Sequence, residues 1–365
     1  MASKRNGEID LLRFLFSLGI VFFHFNIDYK KDFFVNGYIG VEFFFLVTGY
    51  LMARHARMRG GHDLTLEQVS DENWTFIINK IKVFYKYYIC VILIHFIVRS
   101  ILILHRSITS VFHGLITGIP NYLLIFMGLN QDTGRLPISG IWYLSAMVIA
   151  MFILYPWILK NYKFAVKWLF PVLSLFLTGY LYHTNNSISN WTNWSGFTFN
   201  GILCALAEIA LGAALFELTL LFSDWYHSLN GTSKTMVKGL LTVIKASCYL
   251  GVFVYAYGSC ASYTFERDLD LYMLFICAAG IMISFANAGF CIPDCRFTRY
   301  LGRISLGVYI FHGMIRLIIS DFHGKDPITN PDLAKYILFT LIICICLMHL
   351  TDGISKLFVR RKPQM

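Results

Sequence analysis

Apolar residues in this chain gather into long, nearly unbroken stretches, and polar residues are confined mainly to the short gaps between them. Neither the period of two that marks a half-buried strand nor the one-sided stripe of a surface helix runs through these stretches. About twenty apolar residues rise roughly 30 Å as a helix, the thickness of a bilayer's hydrocarbon core. The pattern therefore predicts ten membrane-spanning helices, near residues 9–27, 37–53, 83–104, 141–159, 164–182, 198–222, 236–257, 270–289, 301–319 and 334–355. An eleventh apolar segment, 108–128, is broken by Gly114, Gly118 and Pro120 and predicts a re-entrant or interfacial element. The expected fold is all-α: one polytopic transmembrane helical bundle, occupying 1–365 as a single domain.

Charge refines that picture. With 57% hydrophobic residues the chain has the composition of a membrane protein, and its net charge of +10 needs another cause than nucleic acid. The basic residues sit in short loops between apolar runs, where retention on the cytoplasmic side explains them, so no nucleic-acid partner is expected. If segment 108–128 does not cross, one side holds 19 of the loop and terminal Lys and Arg residues and the other side 6. A crossing would swap sides for every later loop and erase the asymmetry. Ten spans with both termini in the cytoplasm follow, with a bacterial inner membrane as the natural home. Lys4 and Arg5 before the first run resemble the start of a signal peptide, but no small-residue cleavage site follows, so the run is expected to stay as the first span. Most of the nine cysteines lie in apolar runs, and Cys291 and Cys295 lack companion ligands; neither a disulfide framework nor a metal is expected.

The chemistry starts in the first span. Arg13 and His24 are eleven residues apart, which returns them to one helix face about 16 Å apart along the axis. Ionisable groups at hydrocarbon depth cost roughly 2.5–3.5 kcal/mol each on insertion scales unless they face protein or a watery cavity, so this face predicts a functional passage. Glu42 begins the second span near the depth of His24. A carboxylate beside an imidazole fixes its tautomer and favours its protonated form, as a general base requires; the plainer alternative is a pair that merely makes burial tolerable. Lys80 and Lys82 lie beneath Arg13, placed either to hold the phosphates of a soluble donor or to anchor the chain at lipid headgroups. Trp142, like Trp191 and Trp194, suits an interfacial belt or a surface for stacking a sugar ring. Ser305, Tyr309 and His312 share one helix face. Most of Glu208, Lys245, Arg316, His349 and Asp352 are expected to pair with one another inside the bundle.

Four stretches resemble the integral membrane acyltransferase 3 family. Glu8-Ile-Asp-Leu-Leu-Arg13, followed by ten residues and His24, is similar to its first-span signature; Gly40-Val-Glu-Phe-Phe-Phe-Leu-Val-Thr-Gly49-Tyr is similar to its second-span motif. Trp142-Tyr-Leu-Ser145 resembles its Trp-x-Leu-Ser region, and Leu301-Gly-Arg-Ile-Ser through His312 its late Leu-Gly-x-Ile-Ser stretch. They stand in the family's order from residue 8 to residue 312. Two departures matter. The residues after Ser145 are apolar where many members carry acids, and Lys80 and Lys82 stand where members often have arginines; lysine supplies charge without the bidentate fork.

The resemblance implies transfer of an acyl group, most often acetyl from cytoplasmic acetyl-CoA, to a hydroxyl of an extracytoplasmic carbohydrate or lipid-linked glycan. The expected partners are acyl-CoA as donor substrate, a carbohydrate or glycolipid acceptor and membrane lipids; a homo-oligomer is left open. The nucleotide of the donor would sit by Arg13, Lys80 and Lys82, with its flexible arm reaching towards His24. His24 is the expected general base, oriented by Glu42; the sequence equally permits His24 as a nucleophile carrying the acyl group. Trp142, Tyr309 and His312 are the expected acceptor-side residues and the candidate oxyanion donors. A proton-coupled transporter or flippase of glycolipids is the rival, because buried His, Glu and Lys also build carriers. A haem-binding bundle using His24, His95, His312 and His349 is a third alternative.

Overall fold

The computed structural model describes residues 5–29, 34–59, 64–119, 141–189, 191, 193–196, 198–258, 268–323 and 328–360. Among these the chain is almost wholly helical: α1 (Gly7–Tyr29), α2 (Ile39–Arg59), α3 (Leu66–Ile103), α4 (Ile108–Thr117), α5 (Ile141–Lys160), α6 (Tyr162–Asn185), α7 (Asn200–Ser228), α8 (Gly231–Tyr257), α9 (Asp268–Phe285), α10 (Arg296–His323) and α11 (Asn330–Arg360). A two-stranded antiparallel ribbon, Trp194–Ser195 with Thr198–Phe199, precedes α7. Each of the ten expected spans falls on a helix. Seven of them, α3, α5, α6, α7, α8, α10 and α11, are long and apolar enough to cross a membrane; the apolar part of α9, Leu269–Phe285, is shorter. The molecule is an all-α polytopic bundle.

Two boundaries differ from expectation. α3 starts at Leu66, far ahead of residue 83, because Thr65 and Gln68 form a capping box: the Gln68 amide donates to Thr65 Oγ1 at 3.3 Å, and the Thr65 amide to Gln68 Oε1 at 2.9 Å. Lys80, Lys82 and Lys86 thus ride on one continuous helix. Of segment 108–128, Ile108–Thr117 is a short, largely exposed helix capped by Ser107, and residues 120–128 lie outside the described residues. The last ten residues of α3, Ile94–Ile103, are π-helical, and from there Arg99 makes a two-pronged ion pair with Asp321 of α10 at 2.6 and 3.0 Å.

α1 packs along α10, and α2 along α7. Small residues let α2 and α7 touch backbone to backbone: a Cβ at Gly49 would strike the Ile209 carbonyl, and one at Gly212 the Leu46 carbonyl. Pro156 in α5 cannot donate to the Phe152 carbonyl one turn back, and Asn73 Nδ2 of α3 donates to that oxygen at 3.1 Å instead. Charges within the bundle find partners. Lys245 Nζ lies 2.8 Å from Glu8 Oε2, both groups buried, and also donates to the Phe290 carbonyl. Arg316 meets Asp28 at 2.7 Å; Asp352 is held by Lys86, Arg303 and Tyr87; His349 contacts Tyr300. Of the five polar residues expected to pair with one another, Lys245, Arg316, His349 and Asp352 pair with other residues instead, and Glu208 Oε2 is buried without a hydrogen-bond partner.

Candidate active site

Arg13 stands where two cavities meet. The wider, about 750 Å³, is lined by Arg5, Arg13, Lys82, Lys86, Arg296, Arg299 and Arg303, with Tyr87 and Tyr300 between them. The narrower, about 250 Å³, runs inward between α1, α2, α3, α5 and α10 and is mostly apolar, lined by Phe44, Thr48, Leu51, Phe84, Met147 and Tyr309, with Arg13 and Lys80 as its charged residues. Arg13, Val83 and Leu306 line both. The result is a basic vestibule that leads into an apolar channel.

The cations of the vestibule are not equivalent. Arg5 is paired with Asp10, Lys86 and Arg303 grip Asp352 from two sides, and Arg299 forks onto Asp294 at 2.6 and 2.7 Å. Lys82 and Arg296 form no ion pair among the described residues. The paired cations set the shape of the vestibule, while the two unpaired ones leave it an excess of positive charge. Lys80 lies over the Phe76 ring, 5.1 Å from its centroid.

Tyr309 lies at the far end of the channel, its ring 5.3 Å from Tyr143 and 6.2 Å from Phe44. One turn further along α10, His312 lies 5.9 Å from Tyr309 and 5.2 Å from His24, ring centroid to ring centroid, with the imidazoles inclined at 33°. His312 is fully buried, and its Nδ1 is 2.7 Å from the Tyr309 carbonyl and 3.1 Å from the Val308 carbonyl. Carbonyl oxygens only accept, so Nδ1 carries the proton, and in the neutral ring Nε2 holds the lone pair. That Nε2 is buried with no hydrogen-bond partner. Arg316, one further turn along, donates to the His24 carbonyl at 3.2 Å and to Asp28, tying α10 to α1 beside the two histidines.

Glu42 does not meet His24 as expected. It is wholly buried, accepts from Ser189 Oγ at 3.4 Å, and has Glu208 and Asp270 as its charged neighbours. Helix rotation explains the difference. Gly40 faces α1, where a Cβ would press on the Phe16 carbonyl and Ile20, so Glu42, about 200° further round, points away from α1. It joins a carboxyl group in which Asp270 accepts from Tyr38 at 2.7 Å, from Tyr255 and from Ser189. Trp142 is half-buried, stacked on Trp191 at 5.5 Å and 22°, and lines neither cavity; Tyr143 lies between it and Tyr309. The structure thus brings together Arg13, Lys80 and Tyr309 around the channel, Arg13 and Lys82 around the vestibule, and His24 with His312 beyond Tyr309.

In the sequence, Arg5, Arg296, Arg299 and Arg303 count among the basic residues whose asymmetry orients the bundle. Arg296, Arg299 and Arg303 recur at intervals of three and four, on one helix face running into the stretch Leu301–His312, and that spacing is the available signal. Lys86, four residues after Lys82, carries the same signal on α3.

A membrane-embedded helical bundle with a cationic mouth, an apolar channel and two histidines one helical turn beyond the tyrosine at its end has the parts of a group-transfer enzyme. A family model described as an acyltransferase domain matches residues 6–349. The chain belongs to this acyltransferase 3 family, as its motifs indicated, and is a membrane acyltransferase. No curated protein and no solved structure matches it.

Proposed function

We propose that this protein moves an acetyl or other short acyl group from acyl-CoA at the cytoplasmic face to a hydroxyl of a carbohydrate or lipid-linked glycan on the opposite face. The observation that carries the proposal is the union of the basic vestibule and the apolar channel at Arg13. CoA has the matching form: a multiply phosphorylated nucleotide on a long, uncharged arm ending in sulfur. Phosphates gain charge-assisted hydrogen bonds from arginine and lysine, and the arm suits a passage lined by Phe44, Leu51, Phe84 and Met147. Lys80, which lines the channel, and Lys82, which lines the vestibule, would hold the donor phosphates together with the arginines of α10.

His24 acts as general base, removing the proton of the acceptor hydroxyl as its oxygen attacks the thioester carbonyl and the C–S bond breaks. Tyr309 is an oxyanion donor at the channel's end. The Trp142–Trp191 stack offers an aromatic surface for a sugar ring. Glu42 acts through the Asp270–Ser189 group, apart from the imidazole. The positive-inside pattern supports a cytoplasmic vestibule, the side from which an acyl-CoA donor would arrive.

The test is acyl transfer by purified protein supplied with radiolabelled acetyl-CoA and a crude surface-glycan extract. Label entering glycan with wild type and not with His24→Ala supports the proposal. Equal label from both removes His24 from the reaction. No label, together with failure to bind acetyl-CoA, refutes the donor assignment and favours transport of an unmodified glycolipid.

A further inference from the structure

We propose that the two histidines divide the reaction, with His312 Nε2 as the nucleophile that carries the acyl group and His24 as the base that activates the acceptor. This rests on the acyltransferase function proposed above and replaces its direct attack on the thioester by two steps through a covalent acyl-histidine.

Three observations place the nucleophile on α10. The Nδ1–H of His312 is pinned by the Val308 and Tyr309 carbonyls, which fixes the ring and aims a lone pair from Nε2. Nε2 is fully buried and unpartnered, a cost that a structural histidine avoids by bonding at both nitrogens. His312 also lies one turn beyond Tyr309, whose side chain lines the end of the donor channel, so a thioester advancing past Tyr309 reaches His312 on the same helix face. The tautomer excludes one alternative. A neutral ring protonated at Nδ1 has no hydrogen at Nε2, so His312 cannot donate to an oxyanion from that atom. His24 is suited to the other half of the work: the residue is not wholly buried, its ring lies 5.2 Å from that of His312, and its own helix ends within two turns at Tyr29.

In the first half-reaction the Nε2 lone pair attacks the thioester carbonyl carbon, the C–S bond breaks, and CoA leaves as a thiolate that takes a proton from water. The resulting acyl-imidazolium keeps its Nδ1–H on the two carbonyl oxygens, whose partial negative charge offsets the new positive charge. In the second, His24 removes the acceptor's hydroxyl proton, the oxygen attacks the acyl carbon, the C–N bond breaks and its electron pair returns to Nε2. His24 then gives its proton to water. The sum is thioester plus alcohol giving ester plus thiol.

The experiment incubates purified wild type, His312→Gln and His24→Ala with radiolabelled acetyl-CoA without acceptor, then measures protein-bound label, its release by neutral hydroxylamine, and its position by peptide mapping. Stopped-flow detection of free CoA in wild type adds a measurement that does not depend on how a variant folds. The expected result is hydroxylamine-labile label on the peptide containing His312, present in wild type and His24→Ala and absent from His312→Gln. It is accompanied by a CoA burst of about one equivalent per chain in wild type. Label on the His24 peptide overturns the proposal in favour of His24 as carrier. A wild type that acylates glycan with neither protein label nor burst overturns it in favour of direct transfer and leaves the acyltransferase function standing. Absence of glycan acylation as well refutes both.

Discussion

Arg296→Ala separates the donor vestibule from the chemistry. Arg296 lines the vestibule and has no carboxylate partner among the described residues, so removing it strands no buried acid. Arg303→Ala would instead deprive Asp352 of one of its two cations. A hydrogen bond to a charged group contributes about 1.5–3 kcal/mol, and the open mouth of the vestibule favours the lower end of that range. At 1.4 kcal/mol per decade, the loss of about 1.5 kcal/mol corresponds to roughly tenfold weaker donor binding. The assay is steady-state kinetics in detergent with acetyl-CoA and with acetyl-dephospho-CoA, at low and high salt. KM for acetyl-CoA should rise about tenfold in Arg296→Ala with kcat nearly unchanged, because uniform binding is lost and no transition-state contact is touched. The difference between wild type and variant should shrink at high salt, where screening has already weakened the wild-type contact. If Arg296 faces the 3′-phosphate, acetyl-dephospho-CoA should bind both proteins alike. The reasoning is refuted if Arg296→Ala, Lys82→Ala and the double variant all retain the wild-type KM at low salt, since an anionic donor that ignores both unpaired cations does not bind in this vestibule.

Three further outcomes follow from the packing. Asn73→Leu leaves the Phe152 carbonyl without its donor and should cost about 1–3 kcal/mol by thermal unfolding in detergent. Adding Pro156→Ala restores a backbone donor and should recover much of that loss, so independent effects of the two changes would argue against the compensation. Gly49→Val should sharply reduce folded yield on size-exclusion chromatography because it drives α2 off the Ile209 carbonyl, whereas Gly179→Ala, with open space around it, should be neutral or stabilising by up to about 1 kcal/mol. Lys245→Met should destabilise by about 3–5 kcal/mol by orphaning buried Glu8, and Glu8→Gln in the same chain should relieve part of it; equal stability of all three would mean that the pair is not buried as described.

What the sequence determined by itself is what depends on neighbours along the chain. Runs of apolar residues marked the helices of the bundle, seven of them among the described residues long and apolar enough to cross a membrane, since the hydrocarbon core sets the length a crossing helix needs. Helical periodicity correctly put Tyr309 and His312 on one face, and the motifs around His24 and Leu301–His312 marked the family. The polar start of α3 was harder, because the capping box of Thr65 and Gln68 begins a helix well before its apolar part. The tertiary structure alone decided which face meets which. The close approach of Gly40 to α1 and of Gly49 to α7 fixed the rotation of α2, and that rotation sent Glu42 to Ser189 instead of His24. The pairing of α1 with α10 set His24 against His312, nearly the whole chain apart in sequence, and carried the arginines of α10 to the mouth beside Arg13. Periodicity records an angle about one helix axis; only packing supplies the second helix, because the fit of small residues and ridges between helices selects the neighbour and the angle at which it docks.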